Sequence, residues 1–156
     1  MLFLLFQLGQ DRYALEARRV VEVLPLLALR PLPQAPESVA GIFYYRGQQV
    51  PAVDLCQLTL GRPAESRLST RIIIVNYLDA RGVGHWVGLV AERVTEVLRK
   101  KPTDFVGPGV SIKAAPYLGP VLLDHEGAVQ WIYEQRLLPD PVSDILFSQS
   151  ALWAQS

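Results

Sequence analysis

Apolar residues fall in short alternating or continuous runs bounded by Gly, Pro, Asn and Asp, the pattern of strands and tight turns rather than of long helices. Phe3 to Leu8 and Tyr13 to Leu15 flank Gly9-Gln10-Asp11-Arg12 and predict an opening hairpin. Ala17 to Val21 predicts a helical turn before Val20-Val21-Glu22-Val23 extends, and Pro25, Pro31, Pro33 and Pro36 then impose a loop. From Val39 to Leu55 nearly every special residue has a backbone role. Gly41 and Gly47 permit close approach and positive φ, Pro51 removes a ladder donor, and Asp54 can cap a helix begun at Leu55. The segment reads as strand, tight turn around Arg46-Gly47, strand and a short helix over 55–60. Asp54 and Gln57 resemble a capping box, and Gly61-Arg62-Pro63 ends the helix.

Arg62 to Ser69 reads as a polar connector. The β-branched run Thr70 to Asn76 predicts a buried strand, Trp86 to Val90 a second one, and Thr95 to Leu98 a third that pairs nearby. Lys101 to Gly119 is a long Pro/Gly-containing loop, of a length that tends to be functional or mobile. Val121 to Leu123, the turn Asp124-His125-Glu126-Gly127 and Ala128 to Tyr133 predict a hairpin. Past Pro139 and Pro141, Val142, Ile145, Leu146, Leu152 and Trp153 recur at helical spacing, predicting a terminal amphipathic helix over 142–153. The expected fold is mainly β: small antiparallel sheets curled into barrels over residues 1–138, then a helical tail over 139–156.

Composition narrows the function classes. The 156 residues are 50% hydrophobic, enough for one buried core without staples. Fifteen basic and fifteen acidic residues cancel, and no basic run exceeds Arg99-Lys100-Lys101, which argues against nucleic acid. Met1 to Phe6 lacks a basic start and gives way to Gln7, reading as a strand rather than a signal peptide. No apolar run approaches the roughly 20 residues of a membrane helix. Cys56 is the sole cysteine, and with only His85 and His125 beside it no zinc site of the usual kind is expected. A reducing cytoplasm is the natural setting.

The search for chemistry returns little. Cys56 lies in the predicted helix among Val53, Leu55 and Leu58, a setting for a buried inert thiol, and no serine occupies a nucleophile elbow. Gly82-Val83-Gly84 reads as a hairpin turn, Glu92 and Glu96 as a solvated strand edge, and His85 and His125 as ordinary exposed histidines beside turn glycines. No catalytic residue, metal or cofactor is expected. Arg46 admits two readings: a structural ion pair with Asp54 or Glu22, or a guanidinium at the lip of an apolar groove that grips a partner helix.

Taken in order, these segments resemble the CheW-like family of bacterial chemosensory coupling proteins over about residues 3 to 138. The pieces are F-x-L-G-x-x-x-Y-A-L at Phe6 to Leu15, V-x-E-V at Val20 to Val23, and V-x-G-x4-R-G-x3-P-x2-D-L at Val39 to Leu55. Ile72 to Val75, V-G-L-V at Val87 to Val90, V-x-E-V at Val94 to Val97 and Tyr117-Leu118-Gly119 complete them. The resemblance implies two intertwined five-stranded SH3-like barrels and a non-catalytic adaptor. Such a protein bridges the cytoplasmic hairpin tip of a methyl-accepting receptor and the regulatory domain of a CheA-type histidine kinase, at the inner face of the membrane. By position, Val20, Glu22, Val39, Gly41, Arg46 and Ile72 correspond to the receptor-facing groove, with Gly47, Pro51 and Asp54 as turn and strand supports.

Three departures stand out. Tyr44-Tyr45 replace the usual Asn-Leu before Arg-Gly, Val90-Ala91-Glu92 replaces a common Val-Asp pair, and Tyr117-Leu118-Gly119-Pro120 is shorter than the usual form. They suggest an alternative, non-flagellar pathway. The rival expectation is a small-ligand-binding barrel or an enzyme using the space between barrels, which would need convergent polar groups.

Overall fold

In the computed structural model, residues 1–107 and 113–148 are described, apart from the side chains of Ile145 and Ser148. The opening hairpin forms as expected: β1 (Leu2–Leu8) pairs antiparallel with β2 (Asp11–Glu16), closing at Leu8 opposite Asp11. A 3-10 turn at Ala17–Arg19 leads into β3 (Val20–Pro25). Next come β4 (Val39–Tyr45), β5 (Gln48–Asp54) and α1 (Leu55–Leu60). The chain continues through β6 (Arg71–Leu78) and β7 (Gly84–Arg99) to β8 (Leu118–Asp124), β9 (Gly127–Ile132) and α2 (Asp140–Ser148).

The two stretches expected as separate strands around Val90 and Val97 are one 16-residue strand, β7. Its first half pairs with β6 and β5, and its second half with β1. Two sheets result, β3-β6-β7-β5-β4 and β7-β1-β2-β9-β8. In each, an isolated bridge ties the chain near one outer strand to the other: Arg30 exchanges backbone bonds with Ile42 (2.9 and 2.8 Å), and Val106 with Val121 (both 2.8 Å). The expectation of purely antiparallel sheets is corrected, since β5 runs parallel to β7 and β2 parallel to β9. Those pairs join strands far apart in sequence, and a period-two pattern carries no mark of strand direction.

The core has three parts. Phe3, Phe105 and Trp131 fill one sheet's interior with ring centres about 5 Å apart, and Phe43, Val50, Ile72 and Ile74 fill the other's. Between the sheets lie Phe6, Leu15, Val53, Ile73, Val75, Leu89 and Ile132. Because it faces both an interior and the layer between, Val87 to Glu92 is buried without interruption. Each large side chain so covered stabilises by about 1.5–3 kcal/mol.

Helix α2 begins at Asp140, two residues before the expected start, because Pro141 fits a first turn where its missing N–H costs nothing. Leu146 is fully buried in the layer between the sheets, and Phe147 stacks on His85 at 4.2 Å. Leu152 and Trp153 lie outside the described residues, as does 108–112 of the long loop. That loop is also shorter than expected, with a 3-10 turn at Pro102–Asp104 and the bridge at Val106.

Local chemistry sets the β4–β5 turn. Arg46 and Gly47 have φ of 46° and 80°, the positive pair that a two-residue hairpin requires. Gly41 (φ 151°) lets β4 approach Arg30, whose carbonyl oxygen would lie 2.6 Å from a Cβ there. Nothing stands within 4 Å of a Cβ at Gly47, so a substitution there meets backbone strain alone. Gly47→Val should therefore lose about 1–2 kcal/mol in a thermal melt, and Gly47→Asn clearly less. Equal midpoints for valine and glycine would show that the turn does not depend on positive φ.

Candidate functional site

The β4–β5 turn projects Arg46 beside strand β3, and the register decides what supports it. Tyr45 lies opposite Gln48 and packs inward with Phe43, Val50 and Ile74, while Tyr44 points out and is 69% exposed. A register shift in β3 between Val20 and Glu22 brings Glu22 opposite Ile74. Arg46 Nη2 and the Tyr45 hydroxyl both donate to Glu22 Oε1, each at 3.0 Å. The guanidinium carbon also lies 5.0 Å from the centre of the Tyr45 ring, which meets Trp86 edge-on at 5.0 Å. Burial, then the bond to Glu22, pushes the Tyr45 hydroxyl pKa up, while Arg46 works to lower it.

Of the ion pairs expected for Arg46, the one with Glu22 forms. Asp54 is engaged elsewhere, its carboxylate accepting from the N–H groups of Cys56, Gln57 and Ala64. It caps α1 as expected, but without the reciprocal bond of a capping box: the Gln57 amide reaches Glu37 and the Asp54 N–H goes to Ser38. The Arg46 side chain remains 60% exposed and available to a partner.

The other residues assigned to the groove are dispersed. Val20 is half-buried against the layer between the sheets and Val39 is buried in it, whereas Ile72 is fully covered in the interior on the opposite face of that sheet. Gly41 sets the approach to Arg30, and Pro51 is buried opposite Ile42. Thus the structure brings Glu22 and Arg46 together and adds Tyr45, which the sequence marked as a departure from the family's pattern without its bond to Glu22. The available signal was an inward tyrosine next to the turn, since a buried hydroxyl usually needs a partner.

Three other readings are corrected. Glu92 is buried rather than on a solvated edge, and accepts from the N–H groups of Gly9 (2.9 Å) and Glu65 (2.7 Å) and from Arg62 (3.3 and 3.4 Å). Burial works to raise its pKa, but Arg62 and the two N–H groups outweigh it and hold the carboxyl at about 2. Arg62 to Ser69 is therefore more than a connector. His85 is not an exposed turn histidine: it pairs with Asp79 at 2.8 Å, and Phe147 stacks on its ring; the bond to His85 is the chief cause of a lowered Asp79 pKa. The Cys56 thiol is pushed up to about 12, first by burial and then by Glu92, which leaves it unreactive.

Residues 2–141 match the family model of the CheW-like domain. The chain belongs to the CheW-like domain family. Among relatives, it is 30% identical over 103 residues to the chemotaxis protein CheW of Helicobacter pylori, covering 65% of this chain and 59% of that one. It is 27% identical to the CheW of Treponema pallidum, covering 66% and 60%, and 30% identical to protein FrzA of Myxococcus xanthus, covering 72% and 68%. The match thus spans about 60% of the length of the two CheW relatives. The fold is like that of the scaffolding protein TtCheW from Thermoanaerobacter tengcongensis, with a TM-score of 0.77 at 23% identity over 88% of this chain and 87% of the other.

Within this CheW-like chain no group of three or more His, Cys, Asp or Glu is placed to hold a metal among the described residues. No helix among them is long and apolar enough to cross a membrane. Glu92 supplies a pH signature. Its folded pKa lies below that of an unfolded glutamate, so its contribution to stability is full above about pH 5 and lost as pH falls toward about 2. Glu92→Gln should cost about 1–3 kcal/mol at neutral pH and make the acid limb of a stability–pH curve shallower. An acid limb identical to wild type would rule out that role.

Proposed function

We propose that this chain is a non-catalytic adaptor coupling methyl-accepting chemoreceptors to a CheA-type histidine kinase, and that it grips the receptor's cytoplasmic hairpin tip at the Arg46 turn. The observation that carries the reading is an exposed guanidinium fixed beside β3 on a hairpin whose base is packed into the core. An arginine held this way can donate to carboxylates or to backbone carbonyls at a helix surface. Val20 and Glu22 on β3 complete the contact. Val39, Gly41 and Ile72 shape the sheet behind it. The binding mode is helix against groove.

Leu2, Val97 and Leu123 are exposed apolar residues on the second sheet, away from the Arg46 turn, and we assign the kinase's regulatory domain to that side. The protein would then work in the cytoplasm, held at the inner face of the membrane through receptor arrays. The Tyr44-Tyr45 pair, in place of the family's usual Asn-Leu, supports an alternative, non-flagellar pathway. Arg46→Ala should lower retention of a soluble receptor hairpin fragment by roughly tenfold or more. Its melting temperature should stay near wild type, since a surface substitution costs little. Equal retention by both proteins would defeat the proposal.

A further inference from the structure

We propose that Tyr45 is the positioning residue that fixes Arg46 for its partner, by tying down the Glu22 carboxylate and carrying the guanidinium on its ring. The inference rests on the reading that Arg46 meets the receptor hairpin. An exposed Arg–Glu pair by itself contributes little and holds two long side chains loosely. Tyr45 changes that in three ways.

First, its hydroxyl shares Oε1 of Glu22 with Arg46, so the carboxylate cannot turn away without losing both 3.0 Å bonds. Second, the ring lies 5.0 Å from the guanidinium carbon, within range of a cation–π contact. Third, the ring is itself immobilised. It is 7% exposed, packed among Phe43, Val50 and Ile74, and braced edge-on by Trp86. The sheet interior thereby lends its rigidity to a side chain at the surface. Ordering Arg46 in advance removes part of the entropic cost of binding. Leucine at this position would offer neither the hydroxyl nor the ring face.

The test compares binding of a soluble receptor hairpin fragment by wild type, Tyr45→Phe, Arg46→Ala and the double variant, after confirming their melting temperatures. Tyr45→Phe keeps the packing and removes only the hydroxyl. It should weaken binding by about threefold to tenfold, the range of one hydrogen bond, and the double variant should bind no more weakly than Arg46→Ala alone. If Arg46→Ala weakens binding while Tyr45→Phe binds like wild type, or if the two losses add, positioning by Tyr45 is overturned and the receptor reading stands. If Arg46→Ala binds like wild type, the receptor reading fails and takes the proposal with it. A readout in the free protein checks the contact separately: tracked by NMR of labelled tyrosine, Tyr45 should titrate at lower pH in Glu22→Gln and at higher pH in Arg46→Ala. A titration indifferent to Glu22 would also overturn the proposal.

Discussion

One strand, β7, belongs to both sheets, and the rest of the structure depends on how it passes from one to the other. At the crossing Arg93 takes a φ of 48°, and the pairing with β1 shifts register between Leu5 and Gln7. Where a strand changes partners its backbone groups need new ones. Past Arg93 the 69–71 segment supplies them: the Val94 N–H donates to the Ser69 carbonyl (3.0 Å) and Arg71 Nη1 donates to the Val94 carbonyl (2.6 Å). Glu92 adds a tie to neighbouring segments. Its carboxylate gathers the N–H of Gly9 from the β1–β2 turn, the N–H of Glu65 and the guanidinium of Arg62 from the loop after α1. Three segments distant in sequence are thus joined at one charge, beside the apolar layer that both sheets share.

From that anchor the candidate site inherits its rigidity. Ala52, Val53 and Asp54 of β5 run parallel to Gly88, Leu89 and Val90 of β7. At Gly88 a side chain would meet Phe43 at 2.6 Å and Ile72 at 2.7 Å, so glycine allows the closest packing at the base of the β4–β5 hairpin. Its base is clamped while its tip carries Arg46 outward. Binding groups placed on such elements are held more accurately than groups on free loops. Ile72, fully buried, and Gly41, which sets the approach to Arg30, belong to this frame.

The features legible in the sequence were those written in local backbone chemistry. The Arg46-Gly47 turn needs positive φ at two successive residues, Asp54 caps the next helix and Gly61 ends it in the left-handed conformation, as expected. What could not be read depends on tertiary neighbours. Parallel pairing of β5 with β7, the continuity of β7, the burial of Glu92 under Arg62 and the stacking of His85 on Phe147 leave no periodic trace. The groove residues divide the same way: Glu22 and Arg46 meet, whereas Val39 and Ile72 face opposite sides of one sheet, which position along a motif cannot distinguish from a shared surface.

Two exposed regions stand apart, the Arg46 turn with β3 on one sheet and Leu2, Val97 and Leu123 on the other. Backbone amide NMR of the labelled protein, titrated with a soluble receptor hairpin fragment, separates them directly. Shifts concentrated at Val20 to Glu22 and Tyr44 to Gly47, with the β1 and β8 amides unmoved, are the result expected of an adaptor that meets its receptor at the turn. Shifts confined to Leu2, Val97 and Leu123, with the Arg46 turn silent, would contradict it.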